Sequence, residues 1–488
     1  MSIIQVSGLT FSYDGSAQTV FEDVSFRFDT TWRLGLIGRN GRGKTTFLRL
    51  LMGQYAYRGQ ILAPVRFDYF PPDTDDRRRP ARDIAARLIP SNEAWRLSRE
   101  LSLLALDEAV LDRPFDTLSP GEQVKLLLAA LFLREGHFPL IDEPTNHLDL
   151  HARALVGRYL RQKEGFVLVS HDRAFLDTCV DHILAFNRAD IEVQQGNFST
   201  WQQNRARRDA FERAENDRLK KEMKHLTEAS RRTAGWADRV EASKIGDHAA
   251  DRGYIGHQSA KMMKRAKATQ HRRETAAAEK AKLLRNLESS APLALHPLTH
   301  HAPRLLDADA LRICYGDNVI CEDIRFTLRP GQRLAVIGGN GSGKSSLLRL
   351  VMGEEIPHTG QFTRASGLRL SYVPQDTSSL RGSLRTWARD NGLDGTLFLT
   401  LLRKLDFARA QFDEEMQHYS EGQKKKVLLA RSLCEQAHLY VWDEPLNYVD
   451  VISRIQLETL ILAHTPTMLF VEHDRRFIDA VATDVLPL

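Results

Sequence analysis

The chain has 488 residues, of which 42% are hydrophobic and 27% charged, and a net charge of +5 at pH 7. That is the composition of a folded globular protein too long for one ordinary core, so two domains of about 200 residues plus something else are expected. No run of about 18 apolar residues is present, which argues against a bilayer-spanning helix. The opening Met1-Ser2-Ile3-Ile4-Gln5 lacks the charged-then-apolar pattern of a signal peptide, so a cytoplasmic protein is expected. Four scattered cysteines (Cys179, Cys314, Cys321, Cys434) show no metal-ligand spacing and read as small thiols in a reducing compartment.

In chain order, Phe11-Ser12-Tyr13-Asp14 is followed by an apolar run at 33–37 and by Gly38-Arg39-Asn40-Gly41-Arg42-Gly43-Lys44-Thr45. A helical pattern then covers 46–52. A buried strand feeding a glycine-rich turn and a helix is the P-loop arrangement. The glycines let successive backbone N–H groups turn inward, and the helix N-terminus adds partial positive charge, so a polyphosphate is cradled. Gly38, Asn40, Gly41, Gly43, Lys44, Thr45 and Thr46 are the expected contacts, with Lys44 on the β- and γ-phosphates and Thr45 on Mg²⁺. Further on come Leu118-Ser119-Pro120-Gly121-Glu122 and an apolar run ending in Asp142-Glu143. Asp142 is placed to help hold Mg²⁺, and Glu143 to polarise an attacking water as a general base. His171 follows the apolar run Phe166–Val169 and is a candidate γ-phosphate contact, although a lone histidine after a strand is more often structural.

The chain then repeats itself, with an offset of about 300 residues throughout. Ile313-Cys314-Tyr315-Gly316 repeats the first motif, and Gly338, Asn340, Gly341, Gly343, Lys344, Ser345 and Ser346 repeat the phosphate loop after an apolar run at 333–337. Tyr419-Ser420-Glu421-Gly422-Gln423, Asp443-Glu444 and His473, which follows Met468–Val471, complete the second set. Ser345 and Asp443 join Thr45 and Asp142 as candidate Mg²⁺ ligands. Glu444 and His473 are the second catalytic pair. The two copies differ at the turn after an early strand: Val373-Pro374-Gln375-Asp376 carries an amide that could contact Mg²⁺, whereas Phe70-Pro71-Pro72-Asp73 has Pro72 there. Unequal turnover of two sites is therefore plausible. The fold class expected is α/β: two P-loop cassettes at 1–200 and 301–488, joined by a long α-helical hairpin linker at 201–300.

The insert is where the positive charge sits. Residues 202–290 hold 22 Lys/Arg against 13 Asp/Glu, a net of +9, so the remainder of the chain is slightly acidic. Leucines at helical spacing flank glycines at 246, 253 and 256, the pattern of two helical arms on the order of 50–60 Å at 1.5 Å per residue. Polar arms are often merely solvated, but 257–273 contains no acid, which suits a phosphate backbone. Lys244, Arg252, His257, Lys261, Lys264, Arg265 and Lys267 are the candidate contacts, with Tyr254 and Ile255 near the turn able to approach RNA bases.

Together the phosphate loops, the Ser119-Pro120-Gly121-Glu122 signature, Asp142-Glu143 and His171 resemble the ATP-binding cassette (ABC) superfamily. The resemblance implies two ATP sites with Mg²⁺, each between one phosphate loop and the opposite signature. Lys44 would face Ser420 and Gly422, and Lys344 would face Ser119 and Gly121; Glu122 and Gln423 of the two signatures join the expected nucleotide-binding residues. Tyr13 and Tyr315 match the aromatic that stacks on adenine, and Asp149 and Asp450 the aspartate near the dimer seam. Glu143-Pro144-Thr145-Asn146-His147-Leu148-Asp149 is the wording of the ABC-F family, whose members carry two cassettes and no transmembrane domain; the second copy departs as Glu444-Pro445-Leu446-Asn447-Tyr448-Val449-Asp450. Asp251-Arg252-Gly253-Tyr254-Ile255-Gly256-His257 resembles the linker of antibiotic-resistance members, the Lsa-type branch in particular. That implies an ATPase, a monomer with an intramolecular cassette dimer, that binds the ribosome (rRNA, the E site and P-site tRNA) rather than DNA or a membrane. Its linker would protect the peptidyl-transferase centre from lincosamides, pleuromutilins and streptogramin A. A housekeeping translation or ribosome-assembly factor of the same family is the alternative.

Overall fold

The apolar run at 33–37 becomes the strand Arg33–Gly38, and its position explains why it carries no polar alternation. The computed structural model describes residues 2–15, 19–74, 76–89, 94–134, 136–146, 148–187, 190–212, 295–316 and 318–488, with scattered positions between 214 and 293. Arg33–Gly38 lies between Phe166–Val169 and His182–Phe186 in a six-stranded sheet. The sheet continues through His137–Asp142 to Arg66–Phe70 on one side and ends at Ile191–Gln195 on the other. Only that last pairing is antiparallel. Strands covered on both faces read as continuous hydrophobic runs. Leu34, Leu36, Val167, Val169 and Leu184 are all buried, packed on Phe47, Leu48 and Leu51 of the helix Lys44–Leu51.

The second copy builds a five-stranded parallel sheet in the order Leu370–Val373, Leu439–Asp443, Met468–Val471, Arg333–Ile337, Asp484–Pro487. Its core joins Leu334, Val336, Val441 and Leu469 to Leu347 and Leu348 of the helix Lys344–Met352. Each cassette adds a three-stranded antiparallel sheet, with Ile3–Ser12 or Leu306–Tyr315 as the central strand. The α/β architecture with two P-loop cassettes is therefore the one expected from the sequence. Both phosphate-loop helices start earlier than the apolar periodicity suggests, at Lys44 and Lys344. Gly43 (φ 86°) and Gly343 (φ 92°) cap them in the left-handed conformation that glycine adopts without steric penalty.

By contacts, one compact unit comprises Met1–Asn187, Ile191–Ser199 and Ser290–Leu488, and thus holds both cassettes; the other comprises Arg188–Asp190 and Thr200–Ser289. The sequence places the second cassette from residue 301, but Leu293 and Leu295 are already buried in its core, and Leu298 N donates to Ala437 O at 2.8 Å. These leucines belong to the short apolar run Ala291-Pro292-Leu293-Ala294-Leu295, which follows the polar insert. In the other unit, residues 201–212 are helical, as are Lys261 and Lys264, both exposed. Lys244, Arg252, Tyr254, Ile255, His257, Arg265 and Lys267 lie outside the described residues, as does the turn of the expected hairpin. No helix among the described residues is long and apolar enough to cross a membrane.

Candidate functional site

The chemistry-bearing residues of each cassette gather at the C-terminal ends of three adjacent parallel strands, where α/β sheets commonly bind ligands. In the first cassette Asp142 ends its strand beside Val169, and the phosphate loop leaves the strand next to that. Thr45 Oγ1 donates to Asp142 Oδ2 at 2.9 Å, and Tyr69 Oη donates to the same oxygen at 2.9 Å. Lys44 Nζ is folded back on the loop carbonyls of Gly38 (2.8 Å) and Arg39 (3.1 Å). Lys344 does the same with Gly338 O (3.0 Å) and Gly339 O (2.7 Å). Burial lowers the pKa of both ammonium groups; the carboxylates of Asp450 and Glu143 oppose that at Lys44, and those of Glu444 and Asp443 at Lys344.

Glu143 and Glu444 share an unusual backbone. Their φ angles are 50° and 46°, and their N–H groups donate to Val169 O (2.9 Å) and Val471 O (3.1 Å) of the neighbouring strand. A non-glycine residue held there costs about 1–3 kcal/mol, and such outliers concentrate at functional sites. The side chains then diverge. Glu444 Oε2 accepts from Gln375 Nε2 (2.9 Å) and Asn447 Nδ2 (2.6 Å), and His473 Nε2 is 3.4 Å from its other oxygen. Burial would raise its pKa, but His473, Gln375 and Lys425 outweigh that and hold it below the ordinary carboxylate value. His171 Nε2 lies 3.3 Å from Glu143 Oε1, yet among the described residues no side-chain donor meets either Glu143 oxygen in hydrogen-bond geometry. Burial and the neighbouring Asp142 push Glu143 up to about 8. Burial, then Lys44 and Arg454, hold the His171 imidazole well below its ordinary value, so it is neutral.

The two seams are built from both cassettes. At the first, Asn40 Nδ2 of the phosphate loop donates to Tyr448 O at 2.8 Å, and Arg39 pairs with Asp406 at 3.8 Å. Gly422 of the second signature is packed so closely that a Cβ would lie 2.5 Å from Tyr448 O and 2.9 Å from Asn40 Nδ2. The second seam encloses a cavity of about 460 Å³, lined by Lys344, Ser345, Gln375, Glu444 and His473 from one cassette and by Pro120, Asn146 and Leu148 from the other. Asp149 and Asp450 cap the helices Leu150–Arg161 and Val451–His464. Against burial, which opposes its charge, Lys426 Nζ at 2.8 Å holds the Asp450 carboxyl far below the usual range.

Tyr13 and Tyr315 remain 41% and 44% exposed, although each hydroxyl reaches the start of a phosphate-loop helix. Tyr13 Oη is 2.7 Å from Thr46 Oγ1, and Tyr315 Oη donates to Ser346 Oγ at 3.2 Å. An open aromatic face beside each loop can stack on a planar base. Glu122 and Gln423, expected among the nucleotide contacts, complete capping boxes: Ser119 N donates to Glu122 Oε2 and Ser420 N to Gln423 Oε1, both at 2.7 Å. What these side chains supply is a fixed helix N-terminus at each signature. Sequence reasoning also missed Lys425, whose buried Nζ donates to Pro374 O (2.8 Å), Gln375 O (3.3 Å) and Asp443 O (3.2 Å) and so ties the Gln375 loop to the strand end. Asn447 was missed as a ligand of Glu444.

The donor set suits a hard divalent cation. Asp443 is buried, one of its oxygens has no hydrogen-bond partner among the described residues, and Ser345 bonds the carboxylate. Among the described residues no group of three or more His, Cys, Asp or Glu gathers as a metal site. One carboxylate and one hydroxyl per site fit Mg²⁺, which keeps few protein ligands and completes its shell with water and phosphate oxygens.

Two P-loop sheets in one chain, each with an acidic pair at a strand end and a capped signature helix, define a tandem nucleotide-binding protein. The ABC transporter family pattern matches residues 21–146 and 321–447, just over half of the chain, and the chain belongs to that family. It is 27% identical to the ribosome protection protein VmlR of Bacillus subtilis, over 97% of this chain and 85% of that one. It is 26% identical to the energy-dependent translational throttle protein EttA of Haemophilus influenzae, over 96% and 88%. Among solved structures it resembles the archaeal ribosome recycling factor aABCE1, in complex with the archaeal ribosomal stalk protein aP1. The TM-score is 0.63 and the identity 19%, over 98% of this chain and 87% of that one, which speaks to the fold alone.

Proposed function

We propose that the chain is an ABC-F ATPase of the ribosome-protection kind. ATP at each seam would draw the phosphate loop of one cassette onto the signature of the other, Lys44 onto Ser420 and Gly422, and Lys344 onto Ser119 and Gly121. Tyr13 and Tyr315 stack on adenine. Thr45 with Asp142, and Ser345 with Asp443 and Gln375, would hold Mg²⁺, which would supply positive charge against the negative charge that develops in phosphoryl transfer. Glu143 and Glu444 orient the attacking water; His171 and His473 contact the γ-phosphate. Loss of that phosphate removes the contact that favours the closed state, because a ligand shifts an equilibrium only by its differential affinity.

The observation that carries this reading is the composite seam: Asn40 and Gly422 packed together at one site, and Pro120 and Asn146 facing Lys344 at the other. The net +9 of residues 202–290 supports a phosphate-backbone partner. Similarity to a protein named for ribosome protection favours a ribosomal partner; on this reading the chain meets rRNA at the E site beside P-site tRNA and defends the peptidyl-transferase centre against lincosamides, pleuromutilins and streptogramin A. Similarity to a translational throttle protein favours the housekeeping alternative. In vitro translation separates them. Added chain restores synthesis in lincomycin if it protects; a housekeeping factor binds ribosomes and leaves the drug's inhibition unchanged. Chain that binds no ribosomes contradicts both.

A further inference from the structure

Arg153 is a buried guanidinium held by the loops of both candidate γ-phosphate histidines, His171 and His473. It lies in the first turn of the helix Leu150–Arg161, just after its cap Asp149. Its Nε donates to Leu148 O at 2.8 Å, and one terminal nitrogen donates both to Asp172 Oδ2 and to His473 O, each at 3.0 Å. Asp172 directly follows His171, which faces Glu143; His473 faces Glu444. One side chain of the first cassette therefore bonds the loop beside one candidate base and the loop carrying the histidine of the other.

Neither end is slack. Asp172 Oδ1 accepts from Phe175 N at 2.9 Å and caps the helix Arg173–Cys179. His473 N donates to Glu472 Oε2 at 3.0 Å, and Glu472 Oε1 accepts from Leu446 N at 2.7 Å. Other charges across the seam hold the two loops in register: Arg173 pairs with Glu458 at 2.6 Å and lies 3.9 Å from Asp474.

The duplication supplies an internal comparison. Arg454 is the counterpart of Arg153, with Nε on Val449 O (2.9 Å) and a terminal nitrogen on Asp474 Oδ2 (3.2 Å). Its remaining nitrogen turns back to Leu446 O (2.9 Å) within its own cassette. The bond to the opposite histidine loop is made by Arg153.

We propose that Arg153 is a positioning residue that couples the two nucleotide sites by tying the His473 backbone to the His171–Asp172 loop. This rests on the ATPase reading above. A phosphate that draws His171 forward moves Asp172, and the buried pair carries Arg153 and the His473 carbonyl with it. Dropping one partner would leave a buried charge uncompensated. The coupling is reciprocal, as linkage requires for binding.

The test is the dependence of hydrolysis rate on ATP concentration for the full chain. Wild type is expected to show a Hill coefficient above one, with a ceiling of about two set by the number of sites. Arg153→Lys keeps the charge but loses the planar fork that serves three acceptors at once. Its Hill coefficient should fall to about one. The shift in ATP KM that Glu143→Gln causes at the other site should vanish in the Arg153→Lys background. Arg454→Lys should retain the cooperativity. If Arg153→Lys melts early, Asp172→Asn, which keeps a cap acceptor but weakens the pair, should give the same loss. Wild-type chain that hydrolyses no ATP overturns the ATPase reading and this proposal with it. Hydrolysis without cooperativity, or cooperativity intact in the folded Arg153→Lys or Asp172→Asn variant, overturns this proposal alone.

Discussion

Asn447 Nδ2 lies 2.6 Å from Glu444 Oε2, while Asn146, its counterpart in the repeat, lines the cavity at the opposite site, and among the described residues no side chain donates to Glu143. The same motif position thus serves the base of its own cassette in one copy and the neighbouring site in the other. Pro72 widens the difference by removing the amide that Gln375 supplies to Glu444.

The two general-base substitutions should therefore be unequal. Removing a general base typically lowers rate about 10²–10⁴-fold. Glu444→Gln should lower steady-state phosphate release on the order of 100-fold, and Glu143→Gln less than about tenfold. Equal losses would mean that the asymmetry in donors has no kinetic consequence.

Asn447→Ala isolates the orientation of Glu444. A hydrogen bond to a charged group contributes about 1.5–3 kcal/mol, so a loss of kcat of at least about tenfold is expected. Nucleotide affinity, read by a fluorescent ATP analogue, should be unchanged because Asn447 bonds the carboxylate rather than the phosphate loop.

Gly422→Ala tests the first seam. The added methyl would meet Tyr448 O at 2.5 Å and Asn40 Nδ2 at 2.9 Å. Overpacking of this kind costs about 1–3 kcal/mol. The two cassettes should remain folded while ATP no longer draws them together, a change read by energy transfer between labels on each cassette.

The buried Glu143 predicts a pH dependence of stability in nucleotide-free chain kept in EDTA. Burial and the neighbouring Asp142 push its pKa in the fold up to about 8, above the ordinary carboxylate value of 4.5, so the folded state holds the extra proton between those values. Stability contributed by this group is present below the unfolded value and is lost as pH rises through 8. Melting temperature should fall from pH 5 to 8 more steeply in wild type than in Glu143→Gln, which stays neutral throughout.

The phosphate loops, strand ends and histidines were legible in the sequence because each is a local pattern and the duplication presents it twice. Even the strands Phe166–Val169 and Met468–Val471 have the bounds of their apolar runs. What escaped depends on direction and distance. In Lys424-Lys425-Lys426 the helix buries Lys425 and Lys426 against Gln375 and Asp450, a burial that three consecutive lysines do not announce. Arg153 meets a carbonyl 320 residues away, a pairing no local pattern carries. Glu122 and Gln423 stand three residues after a serine, a spacing that also signals a capping box, and in the fold they serve the cap.

The central claim is that ATP-closed cassettes set the ribosome-binding shape. The most direct measurement is co-sedimentation of Glu143→Gln plus Glu444→Gln chain with ribosomes, with and without ATP. The account predicts chain retained on ribosomes with ATP and far less without it. The same amount bound in both conditions, or none in either, would contradict it.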